Sequence, residues 1–389
     1  MKILCISNYY PPFFDGGYEI SVKETMDWLA TKGHQIYILC GYMGVEKVSY
    51  DALKIDEGIP LRILRYIDYI NASMRNKHEV EKFNYSITMQ IMEFVKPDLV
   101  YFGNIKAISI APVIAVQKTA IPRVFDIGDD WLKTYLGRGV KNSIKRWLKA
   151  ALPWTIGGKI RLDPVIAISQ WIGQEMASKY HSKDVSVIPR GIALPNRNER
   201  LLTDKLSFIY LGKIQPLKGL DLIIQASRRI VSQDQNFVVD VYGEADKSYL
   251  QHCQQLIKRL HLGDHFRFKG KIDHPMQILP RYDVLLMPTV SKEPLGRVII
   301  EAMACSLIVI ATNAYGPKEI ISHKIDGYLF ERGSVSALAS AILELYNTDR
   351  KSLEQIRVNA RLKVEQKYEI NLVKNQVEKI LERIVNQKE

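Results

Sequence analysis

The segment E-P-L-G-R-V-I-I-E-A-M carries two carboxylates eight residues apart, Glu293 and Glu301. Pro294 fits a helix beginning, and the apolar spacing of Val298, Ile299 and Met303 continues it. This predicts Glu301 about two turns into a helix, with Glu293 in the loop before it. The free amides of that helix start, around Leu295, Gly296, Arg297 and Val298, can hold an anion. A carboxylate accepts hydrogen bonds from vicinal hydroxyls, so two of them flanking an anion site suit two polyol rings joined by phosphates, which describes a nucleotide sugar. Read alone, the pair equally fits a helix-start acid favoured by the dipole and an ordinary surface residue.

A second segment, LGKIQPLKG, ends a strand pattern and opens a helix pattern, bringing Lys213 and Lys218 to one loop. Two ammonium groups there could neutralise the charge that develops on a departing diphosphate. Gly16 and Gly17 follow Pro11 and Pro12 just beyond the first strand, where missing side chains let backbone amides approach a phosphate or an acceptor. A plain turn before a helix is the alternative. In VFDIGDDW, three acids, Asp126, Asp129 and Asp130, close a strand; Asp126 or Asp130 could orient an acceptor hydroxyl, and all three equally fit loop and N-cap residues. No GxGxxG and no GxxxxGK[ST] occurs, which argues against a nicotinamide dehydrogenase and a P-loop ATPase. No DxD sits near a strand end and the eight histidines show no HExxH, so no metal and no cofactor are expected.

These loops need a scaffold. With 389 residues, 47% hydrophobic and 25% charged, the chain is sized for two domains with full cores. Apolar runs of strand length alternate with helical patterns: KILCIS, QIYILC, LRILRY, DLVYFG, RVFDI and PVIAIS in the first half, then SFIYLG, FVVDVYG, HFRFKG, DVLLMP and LIVIAT. That alternation predicts an α/β fold with parallel sheets covered by helices. Periodicity lapses around 187–205, so the expected division is 1–197, 198–368 and a terminal helix, 369–389, returning to the first domain. Ligands of such sheets bind beyond the carboxyl ends of the strands, and two facing sheets would make a cleft.

The net charge of +12 favours an anionic partner without choosing among nucleic acid, anionic lipid and a phosphorylated small molecule. A nucleic-acid-binding protein has only that charge in its favour, since no zinc finger, RNA-recognition signature or helix-turn-helix is evident; no nucleic-acid partner is expected. Cys5, Cys40, Cys253 and Cys305 form no CxxC pair and read as buried thiols of a reducing cytosol. The four apolar residues after Lys2 are too few for a signal peptide. Between Trp131 and Leu162 stand eight basic residues (Lys133, Arg138, Lys141, Lys145, Arg146, Lys149, Lys159 and Arg161) and no acid, with Ile144, Trp147, Leu148, Ala151 and Leu152 at helical spacing. The expectation is a cytoplasmic protein using 131–162 as a peripheral contact on the inner, anionic membrane face, although an ordinary solvated helix face reads the same way.

Taken in order, PPFFDGGYEISV, LGKIQPLKGLD, the E-x7-E segment, LIVIATNAYGPKEII and IDGYLF resemble the retaining family 4 glycosyltransferases over nearly the whole chain. The resemblance implies two Rossmann-like domains facing across a cleft, the glycosyltransferase B fold, and transfer from a nucleoside diphosphate sugar to an acceptor hydroxyl with retention, without metal. It implies Glu293 at the donor sugar hydroxyls, Glu301 at the ribose, Lys213 and Lys218 at the diphosphate, and Gly270, Lys271 and Ile272 beside the base. Three positions depart from the family: Lys213 replaces an arginine; Gly128 stands in the histidine position beside Asp129, which matches the family's aspartate and is thereby implied as catalytic; and Arg190, which could reach a donor phosphate or brace the hinge, replaces an asparagine. A nucleotide-sugar epimerase or a phosphorylase of the same architecture is the alternative.

Overall fold

The structure is a computed structural model describing residues 1–13, 16–41, 55–67, 73–132, 160–197, 200–203, 205–232 and 237–387. Most of the basic segment 131–162 therefore lies outside the described residues. So does most of the loop from Gly41 to Pro60. The chain divides into two compact units, Met1–Ile188 with Lys374–Glu389, and Pro189–Val373.

Among the described residues the first unit holds seven strands, β1 (Lys2–Ser7), β2 (Gln35–Gly41), β3 (Pro60–Leu64), β4 (Leu99–Phe102), β5 (Arg123–Ile127), β6 (Val165–Ala167) and β7 (Val185–Val187), in the order β3-β2-β1-β4-β5-β6-β7. Every pairing is parallel. Parallel strands covered on both faces must be apolar along their length, and Ile3, Leu4, Cys5 and Ile6 are all buried. Helices α1 (Gly17–Thr31), α2 (Met74–Val95), α3 (Ala111–Gln117) and α4 (Gln170–Tyr180) fall between strands. α1 buries Val22, Met26 and Leu29, one face at helical spacing, and ends before Gly33 at φ 84°.

The second unit holds β8 (Phe208–Leu211), β9 (Val239–Tyr242), β10 (Phe266–Gly270), β11 (Val284–Met287), β12 (Ile308–Thr312) and β13 (Tyr328–Phe330), again all parallel, in the order β10-β9-β8-β11-β12-β13. Its helices are α5 (Leu220–Val231), α6 (Lys247–Arg259), α7 (Arg297–Ala304), α8 (Tyr315–Ile320), α9 (Val335–Asn347) and α10 (Arg350–Lys367), followed by α11 (Ile370–Asn386), which crosses from the second unit to the first. Asp246, Ser334 and Asp349 cap α6, α9 and α10 through side-chain bonds to amides three residues on. Counted within each unit, the first six strands follow the same order, 3-2-1-4-5-6, which is the Rossmann arrangement. Its switch point, where strand order reverses, lies between β1 and β4 in one unit and between β8 and β11 in the other.

The described part of the linker belongs to the second unit. Ile192 exchanges backbone bonds with Tyr368 and Ile370 at 2.9 and 3.0 Å, and Arg361 reaches the Pro195 carbonyl at 3.0 Å. At the far end, α11 joins the first unit through His34–Glu378 at 3.1 Å and Arg383–Asp184 at 2.9 Å. All four cysteines are free and buried, and burial raises each thiol pKa, to about 11 for Cys40 and Cys253. Among the described residues no helix is long and apolar enough to cross a membrane.

Candidate functional site

At the second unit's switch point, two loops meet beyond the strand ends. After β8, the Ile214 amide bonds the Glu244 carbonyl at 2.7 Å and the Tyr210 hydroxyl bonds the Lys213 carbonyl at 3.0 Å, fixing the start of the loop. Pro216 opens a single tight turn through Lys218, and Gly219 closes it at φ 72°. A Cβ on Gly219 would stand 2.3 Å from the Pro288 carbonyl oxygen, so glycine is what allows the turn to lie against the loop after β11. That loop answers with the Val290 and Ser291 amides on the Leu217 carbonyl at 3.1 and 3.2 Å.

This mutual bracing brings Lys218 to Glu293 across 75 residues of sequence, Nζ to Oε2 at 2.6 Å. The pair borders a recess of about 280 Å³ whose walls include Tyr210, Lys213, Thr289, Arg297 and Val298. Three cations and one carboxylate thus surround a space at a strand switch point.

α7 begins at Arg297, three residues after Pro294, because Gly296 takes the left-handed conformation at φ 91° and serves as its N-cap. Glu301 is accordingly the fifth helical residue, little more than one turn in, a correction to the expected two turns. Its carboxylate accepts from Arg297 Nε at 2.9 Å. Leu295 is buried in the loop, while Gly296 and Val298 line the recess.

Gly270 ends β10 at φ 78°, and its carbonyl accepts the Gly243 amide at 2.9 Å. Lys271 is exposed and pairs with Asp273 at 3.5 Å; Ile272 is half-buried. These three lie two strand spacings from β8, about 10 Å along the sheet edge. Arg190 is 7% exposed and does not line the recess.

Gly16 caps α1, and its amide donates to Glu19 Oε2 at 3.3 Å, a bond an incoming anion would have to replace. Asp126 is fully buried, its carboxylate accepting the Tyr101 hydroxyl and its carbonyl the Tyr18 hydroxyl at 2.7 Å. It ties β5 to β4 and offers no carboxylate to a ligand, which removes it from the acceptor-side set. Asp130 accepts from the Tyr180 hydroxyl at 3.0 Å. Asp129 accepts the Trp131 amide at 3.0 Å and keeps a face to solvent. The protein packed around it nevertheless raises its carboxyl pKa, against the lowering by the Trp131 amide and the Lys106 charge.

Gly128 has a partner that sequence reading missed. A Cβ there would lie 2.5 Å from two ring carbons of Tyr18, and a Cβ on Gly103 would lie 3.6 Å from the Tyr18 hydroxyl. The missing side chain at 128 thus makes room for the Tyr18 ring, which occupies the space a larger residue there would need, whereas the Tyr18 contact at Gly103 is of ordinary van der Waals length. Among the described residues no three His, Cys, Asp or Glu side chains gather as a metal site would require.

Residues 195–363 match the family described as glycosyl transferases group 1, and residues 15–194 match glycosyltransferase family 4. The chain belongs to the family 4 glycosyltransferases. An uncharacterized glycosyltransferase of Methanocaldococcus jannaschii is 27% identical over 362 residues, 91% of each chain. A capsular polysaccharide biosynthesis glycosyltransferase of Staphylococcus aureus, CapM, is 27% identical over about half of each chain, 50% and 51%. Among solved structures, sucrose-phosphate synthase of Thermosynechococcus elongatus superposes with a TM-score of 0.75 at 18% identity over 99% of both chains. HepE of Anabaena, solved in complex with UDP, gives 0.73 at 20% identity over 98% of this chain and 100% of its own. These two likenesses show the fold.

Proposed function

We propose that this glycosyltransferase takes a sugar from a uridine diphosphate sugar and places it on an acceptor hydroxyl, of a glycan, a lipid-linked glycan or a small molecule, with retention and without a metal. The observation that carries the reading is the Lys218–Glu293 pair at the β8–β11 switch point, with Lys213 and Arg297 beside it. Uridine is favoured because HepE was solved with UDP and with UDP-glucose, and a pneumococcal O-GlcNAc transferase of similar fold with UDP and GlcNAc.

The strand order supports a ligand running along the second sheet's edge. The base lies by Gly270, Lys271 and Ile272 beyond β10, and the ribose hydroxyls meet Glu301. The diphosphate rests between Lys213, Lys218 and the α7 start, and the sugar hydroxyls meet Glu293. On binding, Lys218 exchanges Glu293 for phosphate oxygen, which frees the carboxylate to accept from the sugar. As the bond between the anomeric carbon and the phosphate oxygen breaks, the bond to the acceptor oxygen forms on the same face, and the acceptor proton passes to the departing phosphate. Lys213 and Lys218 offset the charge left on the diphosphate, which is greatest in the transition state. The C-terminal edge of the first sheet, with Gly16, Gly17, Asp129 and Asp130, is the acceptor side of the reading.

A ligand that binds only the folded chain stabilises it by mass action, by about 2.7 kcal/mol at a hundredfold excess over Kd, and so raises its melting temperature. Thermal shift with uridine, guanosine and adenosine diphosphate sugars is expected to single out the uridine series. Product anomer analysis by NMR then tests retention, and transfer in excess chelator tests metal independence. A response to none of the nucleotides, or inversion at the anomeric carbon, overturns the reading.

A further inference from the structure

We propose that Tyr315 is a positioning residue for Glu293, held in an unfavourable backbone conformation so that the dipeptide Tyr315–Gly316 can grip the dipeptide Lys292–Glu293 at two points. The inference rests on the reading of Glu293 as the carboxylate that meets the donor sugar.

Tyr315 stands at φ 53°, in the left-handed region that a bulky L residue seldom occupies. The turn that carries it is anchored on both sides. The Asn313 amide bonds the Phe330 carbonyl at 2.7 Å, and the buried Thr312 hydroxyl bonds the Thr289 carbonyl at 2.9 Å, so the end of β12 is tied to the loop after β11. Gly316 then approaches that loop so closely that a Cβ would stand 2.5 Å from Leu295 Cα and O. From this position its amide donates to the Glu293 carbonyl at 3.0 Å. Reaching Gly316 along this path turns the preceding residue left-handed, where glycine would be the unstrained choice.

The chain carries a tyrosine there, and its side chain has a task that glycine could not perform. The Lys292 ammonium lies 5.8 Å from the Tyr315 ring centroid and the Arg332 guanidinium 5.3 Å, both within the range of cation–π attraction. Lys292 is the residue before Glu293. One dipeptide therefore holds the other through its ring on one residue and its amide on the next, while Lys218 holds the Glu293 carboxylate itself at 2.6 Å. Strain retained at a residue whose ring meets Lys292 and whose neighbour's amide meets the Glu293 backbone is the pattern expected where conformational cost is exchanged for preorganisation.

The opposed response of stability and sugar recognition distinguishes this role from a merely structural one. Tyr315→Gly relieves the left-handed strain and removes the ring; Tyr315→Phe keeps both. Titration calorimetry with UDP, UDP-glucose and UDP-N-acetylglucosamine measures how much the sugar adds to UDP affinity, and thermal melting is read on the same samples. Tyr315→Gly is expected to melt about 2–4 °C higher than wild type. It is expected to bind UDP unchanged and to lose about tenfold of the sugar's contribution, with Tyr315→Phe matching wild type in both. The inference is overturned if Tyr315→Gly keeps the full sugar contribution, or if it melts lower and loses UDP and UDP-sugar affinity together. If wild type binds UDP and gains nothing from either sugar, Glu293 has no sugar to position and this inference alone falls. If wild type does not bind UDP at all, the proposed function fails first and the inference goes with it.

Discussion

Replacing Lys218 by alanine tests the diphosphate reading at the point where the geometry is most definite. In the free enzyme its Nζ sits 2.6 Å from Glu293, with the two side chains 27% and 17% exposed. An ion pair with that much solvent contact contributes no more than about 1 kcal/mol to stability. The variant should therefore fold and melt within a few degrees of wild type. Against a diphosphate oxygen about 4 Å away, at an effective dielectric near 20, the same ammonium is worth about 4 kcal/mol per unit charge. Opening the resting pair returns about 1 kcal/mol of that, leaving ~3 kcal/mol, or a little over a hundredfold, available to the charge of the leaving group. Removal of one preorganised electrostatic donor costs 10²–10³ in kcat in other enzymes, about 2.7–4 kcal/mol, so the two routes to the magnitude agree. The assay is UDP release from the donor identified by thermal shift, with Lys218→Ala, Glu293→Gln and the double variant compared. On the proposed reading the two groups act on different parts of the donor, so the double variant should be slower than either single one. A folded Lys218→Ala enzyme within threefold of wild-type kcat would refute the reasoning, and equal loss in all three variants would show that the pair acts only by holding itself together.

Gly219→Ala places a Cβ 2.3 Å from the Pro288 carbonyl at φ 72°, so left-handed strain and loop displacement should together cost about 2–4 kcal/mol, read as a lower melting temperature with UDP response lost. Asp129→Asn should raise the melting temperature at neutral pH. The packing around it raises the folded-state carboxyl pKa, so ionisation costs more in the folded than in the unfolded chain, whereas below the unfolded value, near 4, both states are protonated. The gap between variant and wild type should accordingly vanish at low pH, open as pH rises above the unfolded value and level off above the folded pKa; a gap that widens toward acid contradicts the assignment. For the basic segment, wild type should float with anionic vesicles at low salt and not with neutral ones, each cation adding about 1 kcal/mol. Replacing Lys141, Lys145, Arg146 and Lys149 by Glu should abolish flotation, and unchanged flotation removes the membrane contact.

What could be read from the sequence divides along physical lines. Strands such as KILCIS and LIVIAT are visible because both faces of a parallel strand are buried, which leaves a near-continuous apolar run. VSV (β7) and YLF (β13) are, like VIA (β6), three residues long and too short to show a period; β6 is visible only through the apolar run PVIAIS, and sequence reading passes over the other two. The α7 start is misplaced because Pro294 is a good first-turn residue, while the decisive feature is the left-handed backbone of Gly296, which the residue type permits but does not announce. The same limit governs the site. Lys218 and Glu293 each announce themselves by local motif, but their contact depends on Gly219 lying against Pro288, a fit between residues 69 apart that leaves no periodic trace. Tyr18 covering Gly128 is a further case of complementarity between distant positions, a ring on one element and an absent side chain on another. A lone glycine or tyrosine in text carries neither half of that fit. The family pattern flags 128 as a departure because a histidine is missing, and only the fold shows that the volume has been taken by a residue 110 positions earlier. If the two changes are coupled, Gly128→Ala should be tolerated far better in a Tyr18→Ala background than alone. The added Cβ then meets no ring, and a double-mutant cycle on melting temperature should be non-additive; additive effects would mean that the ring moves aside at no cost and that Gly128 is free to vary.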